Sequence, residues 1–165
     1  MKQYRVAILG ASGAVGQEMM KILAERKFPG GGLHLLASAR SAGKVVSWQG
    51  QDIVVEEATD AAFAGMDIVL GAAENDIAER FAPAIVRSGA VFVDTSSAFR
   101  LDPNVPLVVP EINARAVKLP HGILTTPTCS TNIPPPPLNT PPKPPPHRYP
   151  LVPPSPPLAC AAAAG

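Results

Sequence analysis

The stretch RVAILGASGAVGQEMMKILAERKF, residues 5–28, decides the fold. Arg5–Leu9 is a short apolar run ending in Gly10, the pattern of a buried strand. From Ala14 to Phe28 the apolar residues Val15, Met19, Met20, Ile22 and Leu23 recur at helical spacing, and Pro29 with a triple glycine reads as the stop. Between strand and helix lies Gly10-Ala11-Ser12-Gly13-Ala14-Val15-Gly16. Glycines at such a junction permit a tight turn and let the backbone approach a diphosphate, while the helix N-terminus offers free N–H groups and positive dipole character. A bare G-x-x-G-x-x-G says little, and its bland alternative is a glycine-rich turn that serves helix packing alone. Its place between an apolar strand and an amphipathic helix favours dinucleotide binding.

Outward from that unit, strand-like and helix-like runs keep alternating. Leu33–Ser38, Val45–Trp48, Asp52–Val55, Asp67–Leu70 and Ala90–Asp94 read as strands, and Leu107–Val109 and Gly122–Thr125 add two more. Asn75 is placed to cap a helix reaching Ser88, with Ile77, Phe81, Ile85 and Val86 inward and Pro83 as an interruption. The expected class is α/β, a Rossmann-like, doubly wound and mostly parallel sheet, followed by an irregular proline-rich tail.

Composition narrows the function. The 165 residues carry 14 Lys+Arg against 13 Asp+Glu, net +1. That balance argues against a binder driven to nucleic acid or membrane by charge. No apolar run approaches the ~20 residues that span a bilayer, and the amino terminus does not read as a signal peptide. Two cysteines, Cys129 and Cys160, make no disulfide framework, so a reducing, cytoplasmic setting is expected. No metal-binding cluster is read.

Three further segments bear chemistry. Ala37-Ser38-Ala39-Arg40-Ser41-Ala42-Gly43 follows the second strand, where a dinucleotide fold reads the adenine ribose. An acidic residue there suits a free 2′-hydroxyl and an arginine suits a 2′-phosphate, so Arg40 and Ser41 point to NADP over NAD, against the alternative of a solvated loop arginine. Arg100, in Asp94-Thr95-Ser96-Ser97-Ala98-Phe99-Arg100, stands past the carboxyl end of a strand, where a guanidinium grips a phosphate or carboxylate. Cys129, within Thr126-Pro127-Thr128-Cys129-Ser130-Thr131, is either an activated nucleophile or inert packing on spacing alone.

Together LGASGAVGQEM, LLASARSAGK, DTSSAFR followed by PLVVPEIN, and the Cys-Ser-Thr segment resemble the amino-terminal half of aspartate-β-semialdehyde dehydrogenase, over about residues 3–131. The sister family, N-acetyl-γ-glutamyl-phosphate reductase, shares the architecture but not the residues around the glycine loop. The resemblance implies an oxidoreductase that reduces aspartyl phosphate to aspartate semialdehyde with NADPH and releases phosphate. It implies that Ser12, Gly13, Ala14, Val15, Arg40 and Ser41 hold NADP, with Gly10 and Gly16 shaping the loop. Arg100 would bind the substrate phosphate and Cys129 would be the acyl-thioester nucleophile. The family's pathway leads to lysine through diaminopimelate, and to threonine, methionine and isoleucine; its members are homodimers or homotetramers.

Departures from the family pattern temper that reading. Thr126 and Thr128 replace two asparagines on the approach to the nucleophile, and a hydroxyl donates one hydrogen where an amide donates two. Pro134–Pro137 arrive within about a turn of Cys129 and cannot propagate a helix, so reduced activation of the thiol is expected. From Pro134 to Pro157, 14 of 24 residues are proline. Residues 132–165 therefore read as polyproline II or disorder, as a P-x-x-P ligand, or as an out-of-frame translation. The family's second domain, with its general-base histidine, is not recognisable, and His147 in the proline tract is no substitute. The expected organisation is a cofactor domain over residues 1–131 and a tail, inactive on its own or, alternatively, a non-catalytic NADP-binding module with an interaction tail.

Overall fold

The structure is a computed structural model that describes residues 3–28, 30–118 and 122–127. Seven strands form one sheet in the order β3-β4-β2-β1-β5-β6-β7. They are β1 (Tyr4–Leu9), β2 (Gly30–Ala37), β3 (Val45–Trp48), β4 (Gln51–Glu57), β5 (Ile68–Gly71), β6 (Val91–Asp94) and β7 (Ile123–Thr125). All neighbours run parallel except β3, which is antiparallel to β4. A two-residue turn at Gln49 and Gly50, with φ of 50° and 78°, makes that hairpin, because two positive-φ residues match the natural twist of paired strands.

Helices α1 (Ala14–Glu25) and α2 (Asn75–Arg87) return the chain between parallel strands, and a single turn, α3 (Pro110–Asn113), precedes β7. The central strands are apolar on both faces: Val6, Ala7, Ile8 and Leu9 of β1 are all buried. This is how a parallel sheet covered on two sides must read. One core joins Leu9, Leu36, Val69 and Phe92 to Phe81 and Ile85 of α2, with Phe63 set edge-on to Phe81 at 5.5 Å. A second joins Ile8, Leu35 and Val55 to Met20 of α1.

Several sequence expectations shift. The helical pattern does end before the glycines at 30–32, but β2 opens at Gly30 and not at Leu33, because pairing with Tyr4 and Arg5 of β1 supplies hydrogen bonds that local propensity does not foresee. Helix α1 ends at Glu25, where Lys27 turns to φ 47°. Pro83 does not break α2. It sits on the exposed face, so the Glu79 carbonyl that it leaves without an intrahelical donor is open to water. Leu107–Val109 is not a strand: Leu107 makes one bridge to Thr125 before α3 begins. The helix cap is Glu74, not Asn75. Val86 is 40% exposed, while Ala78, Ala82 and Ala84 join Phe81 and Ile85 inside.

Candidate dinucleotide site

From β1 the chain builds outward to β2, β4 and β3 on one side, then crosses to β5, β6 and β7 on the other. The switch point between β1 and its neighbours opens a crevice past the carboxyl ends of the strands, where ligands of open α/β sheets bind. The glycine loop forms one wall. The Gly10 and Ala11 amides both donate to the Leu36 carbonyl, at 2.8 and 3.1 Å, and this pins the loop to the end of β2. Gly10 has φ +89°, and a Cβ there would lie 2.6 Å from the Ala72 carbonyl oxygen, so both conformation and space demand glycine. At Gly16 a Cβ would stand 2.5 Å from the Gly10 oxygen, which lets α1 press against the loop backbone.

The first turn of α1 faces out. Ser12, Gly13, Ala14 and Val15 are exposed, with Val15 at 52% despite its apolar side chain. The amides of a first helical turn lack intrahelical acceptors. Gly13 donates to the Gly10 carbonyl at 3.1 Å, and no side chain caps the helix, so the Ala14, Val15 and Gly16 amides are the donors that could face an anion. No acidic residue lies in that turn. A pyrophosphate placed there would meet donors and a positive dipole end, with no fixed negative charge in the turn to repel it.

After β2, the chain turns through Ser38–Gly43, with the Ser41 and Ala42 amides donating to the Ser38 carbonyl. Arg40 is exposed at the apex and Ser41 is buried beside it. The opposite wall comes from the ends of β5, β6 and β7. Asp94, fully buried at the end of β6, accepts from the Ser96 amide (3.1 Å) and hydroxyl (2.7 Å) and thereby shapes the loop that follows. Asn75 at the start of α2 clasps that loop: its Oδ1 accepts from the Ser97 amide at 3.0 Å and its Nδ2 donates to the Ser97 hydroxyl at 2.8 Å.

Arg100 ties this wall together. Its Nε donates to the Thr126 carbonyl at 2.9 Å and its Nη2 to the Thr95 carbonyl at 2.7 Å, while Nη1 has no hydrogen-bond partner among the described residues. Thr126 is also held by the Asp94 carbonyl, which accepts its amide at 3.0 Å. The guanidinium thus bridges the ends of β6 and β7 and touches the strand exit three positions before Cys129, which itself lies outside the described residues. The proline tract, His121 and His147 also lie outside them. His34, on β2, approaches Glu56 at 3.5 Å. No sequence signal short of pairing across the sheet would have found Asn75, Ser96 and Ser97 as one cluster.

Comparison with known proteins fixes the lineage. Residues 5–119 match the family model described as semialdehyde dehydrogenase, NAD binding domain. The chain belongs to the semialdehyde dehydrogenase family. Within this family, it is 51% identical over 127 residues to aspartate-semialdehyde dehydrogenase of Synechocystis, an alignment that covers 77% of this chain and 38% of that protein. Aspartate semialdehyde dehydrogenase II of Vibrio cholerae, solved in complex with ASA, superposes with a TM-score of 0.76 at 39% identity, covering 79% of this chain and 43% of that one. The Candida albicans enzyme solved with NADP gives a TM-score of 0.63 at 28% identity, over 79% of this chain and 44% of that one. The chain therefore spans about two-fifths of the length of the semialdehyde dehydrogenases it matches. The sheet order and the family match together make this a nicotinamide-dinucleotide-binding α/β fold. Among the described residues no helix is long and apolar enough to cross a membrane, and no group of three His, Cys, Asp or Glu is arranged to hold a metal ion.

Proposed function

We propose that residues 1–131 are the NADP-binding unit of an enzyme that converts aspartyl phosphate to aspartate semialdehyde through a thioester on Cys129. The observation that carries this reading is the Arg100 bridge, which joins the loop after β6, through the Thr95 carbonyl, to the strand leading to Cys129, through the Thr126 carbonyl. The glycine loop fits the cofactor: the Ala14, Val15 and Gly16 amides receive the pyrophosphate, and Arg40 with Ser41 lies where the adenine ribose is read. Bound NADPH supplies the hydride. The Cys129 sulfur forms a C–S bond to the acyl carbon as the C–O bond to phosphate breaks. The uncommitted donors of Arg100 stabilise the departing phosphate, and the thiolate leaves again when the acyl carbon has become an aldehyde. Relatives named for aspartate semialdehyde favour this substrate over the acetylglutamyl phosphate of the sister family.

The same reading holds that turnover needs groups beyond residues 1–131, and places the protein in the cytoplasm, in the aspartate route to lysine, threonine, methionine and isoleucine. The test is titration of the 165-residue chain with NADP, with limited proteolysis of the glycine loop as a second readout. Saturable binding with protection of residues 10–16, and no reduction of aspartyl phosphate by the chain alone, is expected. Absence of binding and protection would remove the reading, and robust turnover would remove its claim about further groups.

A further inference from the structure

A cavity of about 410 Å³ opens between α1 and the β3–β4 hairpin. Ser12 of the glycine loop forms one side, and Gln17 and Lys21 of α1 continue it. Lys44 lies on the far side, at the entrance to β3, and Met20, Val46 and Trp48 make an apolar floor. Trp48 is fixed there, since its indole Nε1 donates to the Met20 carbonyl at 2.8 Å. The lining holds two cations and no carboxylate, and Arg40 is not part of it.

The two lysines are not equivalent. Lys21 is paired with Glu18 at 3.5 Å on the same helix. Lys44 has no ion-pair partner among the described residues. Its backbone is held on both sides: the Val55 amide donates to the Lys44 carbonyl and the Gly43 amide to the Val55 carbonyl, each at 2.8 Å. A cation without a counter-charge, rising from a backbone held by the hairpin, lines a cavity whose other wall includes Ser12 of the loop read as the pyrophosphate site. An ammonium so placed attracts a further anionic group on the same ligand.

We infer that Lys44 is a specificity-determining residue that selects NADP over NAD by pairing with the ribose 2′-phosphate. The inference rests on the NADP reading above and adds to it that the discriminating charge enters from the hairpin side, beyond Arg40. Trp48 is the protein's one tryptophan and lines the cavity, so its fluorescence reports occupancy during titration with NADP, NAD and 2′,5′-ADP. Lys44→Met should weaken NADP and 2′,5′-ADP at least tenfold and leave NAD within about twofold, the NAD affinity also showing that the variant is folded. Lys44→Arg should keep most of the preference. A Lys44→Met protein that still prefers NADP as the parent does would overturn the role of Lys44; loss of that preference in Arg40→Met would then leave the NADP reading standing on Arg40. A parent chain that binds NADP and NAD alike would overturn both.

Discussion

Gly16→Ala sets intrinsic helix propensity against packing, and the two disagree in sign. Alanine is favoured over glycine inside a helix by about 0.8–1 kcal/mol. The new Cβ, however, would stand 2.5 Å from the Gly10 oxygen and 2.7 Å from the Ala11 Cα. Comfortable separations are nearer ~3.5 Å. The loop cannot yield, because Gly10 and Ala11 are bonded to the Leu36 carbonyl. The helix must therefore retreat by roughly an ångström, loosening Met20, which is 6% exposed, and straining the indole bond to its carbonyl. Overpacking costs about 1–3 kcal/mol, and because the Gly16 Cβ meets backbone atoms rather than the end of a flexible side chain, the upper part of that range, about 2–3 kcal/mol, applies. Set against the propensity gain, a net loss of about 1–2 kcal/mol is expected, lowering the melting temperature by roughly 3–10 °C. Urea or thermal unfolding reads it directly, with Gly13→Ala as the comparison, since a Cβ there meets nothing closer than 3.4 Å. A Gly16→Ala protein as stable as its parent, or more so, would refute the reasoning.

Other substitutions probe the opposite wall and the helix behind it. Arg100→Met removes the donors to the Thr95 and Thr126 carbonyls and should cost about 1–3 kcal/mol in urea unfolding, with faster amide exchange at Thr126. Asn75→Ala should cost about 1 kcal/mol and raise the exchange rate of the Ser97 amide, whose acceptor it deletes. Pro83→Ala restores a helix donor at an exposed position and should stabilise the fold by about 1–3 kcal/mol, read as an upward shift of the denaturation midpoint.

The parts legible from sequence are those whose cause is local. Strand β1, the glycine loop and the start of α1 follow from an apolar run, three glycines and a helical repeat within 24 residues. The start of β2 at Gly30, three residues before Leu33, is not legible locally, because its strand geometry comes from a neighbour 26 residues earlier, Tyr4 facing Gly30. Asn75 has a good capping side chain, yet Ser97, 22 residues away, takes it instead. Arg100 was visible as a candidate anion ligand, but its role as a tie between two strand ends depends on β6 and β7 being adjacent. Lys44 sat four residues past the arginine that drew attention, and only the hairpin brings it across from Ser12. Tertiary pairing, which no short window contains, supplied each of these differences.

The two carbonyls that grip Arg100 have a thermodynamic corollary. A free arginine side chain gives up about 2 kcal/mol of rotamer freedom when a ligand freezes it. Here most of that ordering happens as the chain folds, so an oxyanion that reached the remaining donors would find a guanidinium plane already set, and its capture should show a comparatively small unfavourable entropy from this side chain in calorimetry.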